Sequence, residues 1–163
     1  MGGLNPPEDE REAMAAQKNA WYVEMLGGLT ENDVLPGARE ALSAMRARGI
    51  RTALGSASRN APLILDKLGI APLLDAVIDG NDTDRAKPDP QVFLLGARAL
   101  GVEPSECVVF EDAAAGIEAA HAGGMLAVGV GTAENLPSAD LLIPGLHALD
   151  VDEMLAFFAA MTH

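Results

Sequence analysis

Val108-Val109-Phe110-Glu111-Asp112 decides the fold: a short apolar run delivers two adjacent carboxylates at its end and gives way, through Gly116, to a stretch of helical length. A buried strand that stops at polar residues and turns into a helix is the repeating unit of parallel α/β proteins, and their ligands bind beyond the carboxyl ends of the strands. The same rhythm recurs on both sides of it. Apolar runs at 51–55, 76–78, 107–110, 126–130 and 141–143 alternate with segments at 60–68, 89–100, 114–122 and 151–161 that suit helices. The expected fold is α/β, a doubly wound, Rossmann-like parallel sheet covered on both faces.

Upstream of this rhythm, residues 8 to about 28 are first charged and then carry Trp21, Tyr22, Met25 and Leu26 at mixed three- and four-residue spacings, which predicts an amphipathic helix. Pro36-Gly37 punctuates the chain, and 38–48 is a second helical stretch with Leu42 and Met45 on one face. The organisation expected is a small helical piece over 1–34 and a main α/β domain over 35–163.

At 163 residues with 49% hydrophobic content, the chain suits one globular domain. A formal charge of −13 argues against a nucleic-acid partner. It also means that an anionic ligand must be held by local donors or a cation, which raises the interest of each basic residue near a loop. The single cysteine, Cys107, sits at the head of an apolar run and reads as a core thiol. No apolar stretch approaches the ~20 residues a bilayer span needs. The amino end is no signal peptide, and Pro6 spoils a myristoylation signal after Gly2, so a cytoplasmic location is expected. His121, His147 and His163 lack metal-ligand spacing, and Met25, Met45, Met125, Met154 and Met161 read as core or half-core filler.

Three places carry candidate chemistry. Gly55-Ser56-Ala57-Ser58-Arg59-Asn60 runs from a strand into a helix, where small hydroxyl residues let a phosphate approach free N–H groups and the positive helix end; capping by Ser or Asn is the alternative. Lys87, in Arg85-Ala86-Lys87-Pro88-Asp89-Pro90, precedes a helix and can neutralise a phosphate or carboxylate, a solvated loop lysine being the alternative. Glu111-Asp112 suits a hard cation such as Mg²⁺, with a helix N-cap as the alternative. A hydroxyl loop, a lysine and an acid pair at successive strand ends are more specific together than any one alone.

With these residues the chain resembles the haloacid dehalogenase superfamily, and within it the β-phosphoglucomutase branch. Ser56 matches the second family motif, Lys87 in Lys-Pro-Asp-Pro the third, and Glu111-Asp112 with Gly116-Ile117 the fourth, the likeness running from about Ala15 to Asp140. The resemblance implies a helical cap, here partial, and Mg²⁺-dependent phosphoryl transfer through an aspartyl-phosphate, converting glucose 1-phosphate to glucose 6-phosphate. Ser56 and Lys87 would be catalytic, Glu111 and Asp112 would hold the metal, and Lys18, Ala57, Ser58, Arg59 and Asn60 would hold the phosphorylated sugar. A sugar-phosphate phosphatase of the same superfamily is the alternative, and a non-catalytic phosphate-binding or assembly module is a second.

Family members open with an apolar strand running into Asp-x-Asp-Gly, the source of the nucleophile, and none precedes Glu8 here. Asp150-Val151-Asp152 has similar letters but continues into Glu153 and an amphipathic stretch, so Asp150 reads as a helix N-cap. The resemblance puts the missing strand at the centre of the sheet, between the strands ending at Ser56 and at Glu111. The expectation is a chain inactive by itself, whose gap is filled by another chain or segment or by strands 51–55 and 107–110 closing on each other.

Overall fold

The computed structural model describes residues 7–161, and the elements follow the apolar runs closely. Helix α1 spans Glu8–Leu26 and α2 Ala38–Ala47, after which strand β1 (Ala53–Gly55), helix α3 (Ala61–Leu68), strand β2 (Ala76–Ile78), helix α4 (Gln91–Leu100), strand β3 (Val108–Glu111), helix α5 (Ala114–Ala122), strands β4 (Leu126–Val130) and β5 (Leu141–Ile143), and helix α6 (Val151–Met161) complete the order. Left-handed glycines, Gly69 at φ 64° and Gly101 at φ 66°, stop α3 and α4. Asp150 caps α6 as expected, its Oδ1 accepting from the N–H groups of Asp152 and Glu153 at 2.9 and 3.0 Å.

All strand pairs are parallel, and the period-two alternation of side chains sorts the core into two layers. On one face Val109 and Ala127 pack with Ala97 of α4 and with Ile117 and Ala120 of α5. On the other, Val128 and Ile143 pack with Met45 of α2 and with Met154 and Phe158 of α6. Strand β4 lies between β3 and β5, and its Ala127 and Val128 are fully buried.

The sheet is in two pieces. β1 pairs with β2, and β3, β4 and β5 form a separate three-stranded sheet, so strands 51–55 and 107–110 do not close on each other. The hydrogen-bond alternation of parallel strands then identifies the open groups. Ser56 N–H donates to Ile78 O and Ala76 N–H to Thr52 O, so even-numbered residues of β1 face β2 and the backbone groups of Ala53 and Gly55 point the other way. Leu126 N–H donates to Cys107 O, so odd-numbered residues of β3 face β4 and those of Val108 and Phe110 point away. These two edges have no strand partner among the described residues. Consistent with this, β1 is half-buried throughout, while the middle of β4 is fully enclosed.

Three expectations need correction. Helix α1 forms, but it is not amphipathic in the sense of a buried stripe: Leu26 alone is buried, and Trp21 and Met25 are 64% and 68% exposed. Among the methionines, Met45, Met125 and Met154 are core, whereas Met25 and Met161 are exposed. Cys107 is half-buried rather than enclosed, its thiol donating to Glu103 O at 3.4 Å. His163, Gly2 and Pro6 lie outside the described residues. No helix among the described residues is long and apolar enough to cross a membrane.

The open edges predict that the amides of Ala53, Gly55, Val108 and Phe110 exchange hydrogen faster than those of Leu54, Val109 and Val128, measured residue by residue by NMR; equal protection would mean that the edges are paired. Burial, helped by the Glu106 charge, pushes the Cys107 thiol above its ordinary value. The thiolate is the nucleophile, so alkylation of Cys107 at about pH 8 is expected to be slower than that of a free thiol and to keep climbing with pH above it. A rate that levels off below that pH would contradict the assignment.

Candidate active site

The first strand end is wound by its own hydroxyls. Ser56 Oγ accepts from Ser58 N–H at 3.1 Å, and Ser58 Oγ from Asn60 N–H at 3.2 Å. Each hydroxyl accepts one backbone N–H, which leaves its O–H and a second lone pair for other partners. The capping alternative is not what the side chain of Asn60 does. It stands at the N-cap of α3 without a side-chain cap bond, and its Nδ2 donates instead to Asn19 Oδ1 of α1 at 3.0 Å. That bond brings the helix bearing exposed Lys18 to the edge of the 56–60 loop; Ala57 and Arg59 are also exposed there.

Behind this loop stands a second turn, at 79–82, that is absent from the candidates the sequence motifs supply. Gly80 N–H donates to Ser58 O at 3.1 Å, and a Cβ on Gly80 would lie 2.2 Å from Ala57 O. Buried Asp79 ties the turn together, its Oδ1 accepting from Asn81 N–H at 2.7 Å while its own N–H donates to Asp82 Oδ2 at 2.8 Å. The signal was available, because Asp79 directly follows the apolar run 76–78.

Lys87 comes from the loop after β2 and reaches the end of β3, where Nζ pairs with Glu111 Oε1. The ammonium also lies 4.7 Å from the centre of the Phe93 ring, a cation–π contact from the first turn of α4. Phe93 in turn abuts the end of β1, since a Cβ on Gly55 would fall 3.2 Å from its Cδ1. The strand end at Gly55, the lysine loop and the carboxylate of β3 thus form one continuous set of contacts. The solvated-lysine alternative does not hold, for the Lys87 side chain is 23% exposed and that of Glu111 10%.

Glu111 and Asp112 part company. Glu111 lies across the first turn of α5, where a Cβ on Gly116 would come within 2.1 Å of its Cδ, and it is committed to Lys87. Asp112 is exposed at the strand end. Neither caps α5, whose N-cap is Ala113 with no side-chain bond. No group of three or more His, Cys, Asp or Glu converges among the described residues. His121 and His147 lie elsewhere, His121 Nε2 meeting Asp140 Oδ2 at 2.9 Å.

The fit of Glu111 over Gly116 predicts opposite outcomes for two helix glycines. Gly116→Ala must displace the paired carboxylate and is expected to destabilise by about 1–3 kcal/mol. Gly96→Ala in α4 meets nothing within 4 Å and is expected to stabilise by up to about 1 kcal/mol. Urea unfolding of the two variants checks this, and a neutral Gly116→Ala would mean that Glu111 is not held there.

Residues 5–124 match the family model of the haloacid dehalogenase-like hydrolases. The chain is 40% identical over 134 residues to β-phosphoglucomutase from Bacillus subtilis, covering 82% of this chain and 59% of that protein. It is 39% identical over 127 residues to a fructose-1-phosphate phosphatase from Escherichia coli, covering 78% of this chain and 66% of the relative. The crystal structure of β-phosphoglucomutase from Clostridium difficile superposes with a TM-score of 0.92 at 36% identity, over 96% of this chain and 70% of that one. The chain therefore spans about three fifths to two thirds of the length of these two curated relatives. A family model matched over most of the chain and a fold superposable along nearly all of it lead to one conclusion: this protein belongs to the haloacid dehalogenase-like hydrolases.

Proposed function

We propose that this chain supplies the phosphate-, lysine- and metal-binding elements of a β-phosphoglucomutase-like enzyme that moves a phosphoryl group on a sugar phosphate, glucose 1-phosphate to glucose 6-phosphate. The observation that carries the proposal is the half-buried Lys87, held between Glu111 and Phe93 at the strand ends beside the Ser56 loop. Similarity to a mutase and to a sugar-phosphate phosphatase points to the same substrate class.

In this reading Lys87 offsets charge on a phosphoryl oxygen, and the hydroxyls of Ser56 and Ser58 donate to the others. Arg59, Asn60 and Lys18 hold the rest of the phosphorylated sugar at the mouth between α1 and the 56–60 loop. Asp112, with Glu111 beside it, would hold Mg²⁺, a donor set that suits an ion commonly bound by one or two carboxylates with phosphate and water. When bound, the ion neutralises charge developing on the transferred group. The nucleophile is an aspartate from an Asp-x-Asp segment. Its carboxylate oxygen bonds to phosphorus as the sugar oxygen leaves and takes a proton from the second acid. Return of the phosphoryl group to another sugar hydroxyl makes a mutase; transfer to water makes a phosphatase. A cytoplasmic location goes with this substrate class.

A second reading is favoured by the open edges of β1 and β3. By itself the chain is a phosphate-binding module that is inactive until another chain or segment contributes an extended strand there.

The test fuses an apolar strand ending in Asp-x-Asp-Gly, the opening that the resemblance implies, to the amino end of this chain and follows glucose 1-phosphate in Mg²⁺ buffer. Glucose 6-phosphate is the expected product, falling by about a hundredfold in Ser56→Ala, the scale of losing one donor to a developing oxyanion. Release of inorganic phosphate alone would replace the mutase with the phosphatase, and a folded fusion with neither activity would end the proposal.

A further inference from the structure

The loop that carries Lys87 is closed by a single side-chain amide. Gln91, the first residue of α4, accepts at Oε1 from the N–H groups of both Asp84 and Arg85, at 3.1 and 3.0 Å, and donates from Nε2 to Asp84 Oδ1 at 2.7 Å. Its own N–H donates to Asp89 Oδ1 at 2.9 Å, and Asp89 Oδ2 lies 3.6 Å from Arg85. Asp89 N–H closes the inner turn onto Ala86 O at 3.0 Å. The whole excursion from 84 to 91 is thereby folded back on the start of α4, with Lys87 inside it.

Chemistry singles out the amide. The position needs an acceptor with two lone pairs for two backbone N–H groups and a donor for a carboxylate at the same time. A glutamate offers the acceptors but no donor, and would set a second negative charge against Asp84. Two residues on, Phe93 supplies the ring beneath the lysine ammonium. The first turn of α4 therefore sets both ends of the lysine: Gln91 fixes the backbone from which it springs, and Phe93 supports its tip.

We propose that Gln91 is a positioning residue for Lys87, acting through the 84–91 loop and holding the ammonium against Glu111 and Phe93. The role of Lys87 in phosphoryl transfer rests on the function proposed above; the positioning itself does not. It can be read without phosphate or metal, so its failure is separable from failure of that function.

The chain contains three lysines, Lys18, Lys67 and Lys87, so each can be followed by mass spectrometry during limited acylation with acetic anhydride. In the full chain Lys87 is expected to react more slowly than exposed Lys18. Gln91→Glu should raise the Lys87 rate about fivefold, the equivalent of one lost hydrogen bond, while Lys18 and Lys67 keep theirs. Adding Asp84→Asn to Gln91→Glu exchanges donor and acceptor and should bring the Lys87 rate back toward that of the parent protein. Gln91→Ala, which leaves no partner to repel, serves as the second single variant and should raise the rate in the same sense. An unchanged Lys87 rate in both single variants, a double variant that fails to restore it, or an equal rise at all three lysines would overturn the proposal.

Discussion

The ion pair between Lys87 and Glu111 joins what the backbone leaves separate. Lys87 belongs to the loop that follows β2, Glu111 ends β3, and among the described residues no strand pairing connects their two sheets. Both side chains are largely withdrawn from water, so removing either would leave the other charge poorly solvated at a cost of several kcal/mol. The remaining geometry follows from this pair. Glu111 can lie where it does because residue 116 has no side chain, and the lysine tip rests on Phe93, which abuts Gly55 and thus the start of the serine loop.

Charge at two scales explains why the site is built this way. The chain carries thirteen more acidic than basic side chains, a field that repels anions at a distance. Affinity for a phosphate has to come from groups at contact range. The strand ends offer such groups: hydroxyls that each accept one backbone N–H and keep an O–H to donate, and the lysine of the 84–91 loop. Asp112 at the end of β3 adds a place where a cation could reverse the sign locally.

Much of this was legible in the sequence, for identifiable reasons. The runs 76–78, 126–130 and 141–143 match β2, β4 and β5, because continuous apolar stretches bounded by turns leave little choice. At β1 the strand starts later than the run that begins at Arg51, since the N–H of Thr52 is taken by the Asp75 carboxylate rather than by a strand. The division of Glu111 from Asp112 was not legible, because adjacent acids look alike until Lys87 selects one. The spacing at 21–26 predicts the helix α1 but not its exposure, since spacing reports where apolar residues fall and not whether anything covers them. Gln91 carries no signal in the sequence, since a polar residue at a helix start is ordinary and its partners meet it only when the loop folds back. Pairing between strands far apart in sequence has no local signature, and the gap between β1 and β3 is expected from the family resemblance rather than from any residue pattern.

If the loops ending β1 and β3 and the lysine loop between them serve a single oxyanion, all three must respond to it together. Titrating the isotopically labelled chain with inorganic phosphate in the presence of Mg²⁺, and following backbone amide shifts by NMR, tests it most directly. Ser56 to Asn60, Lys87, and Glu111 with Asp112 are expected to shift together along one binding curve. Shifts confined to one loop, or separate curves for the three, would contradict it.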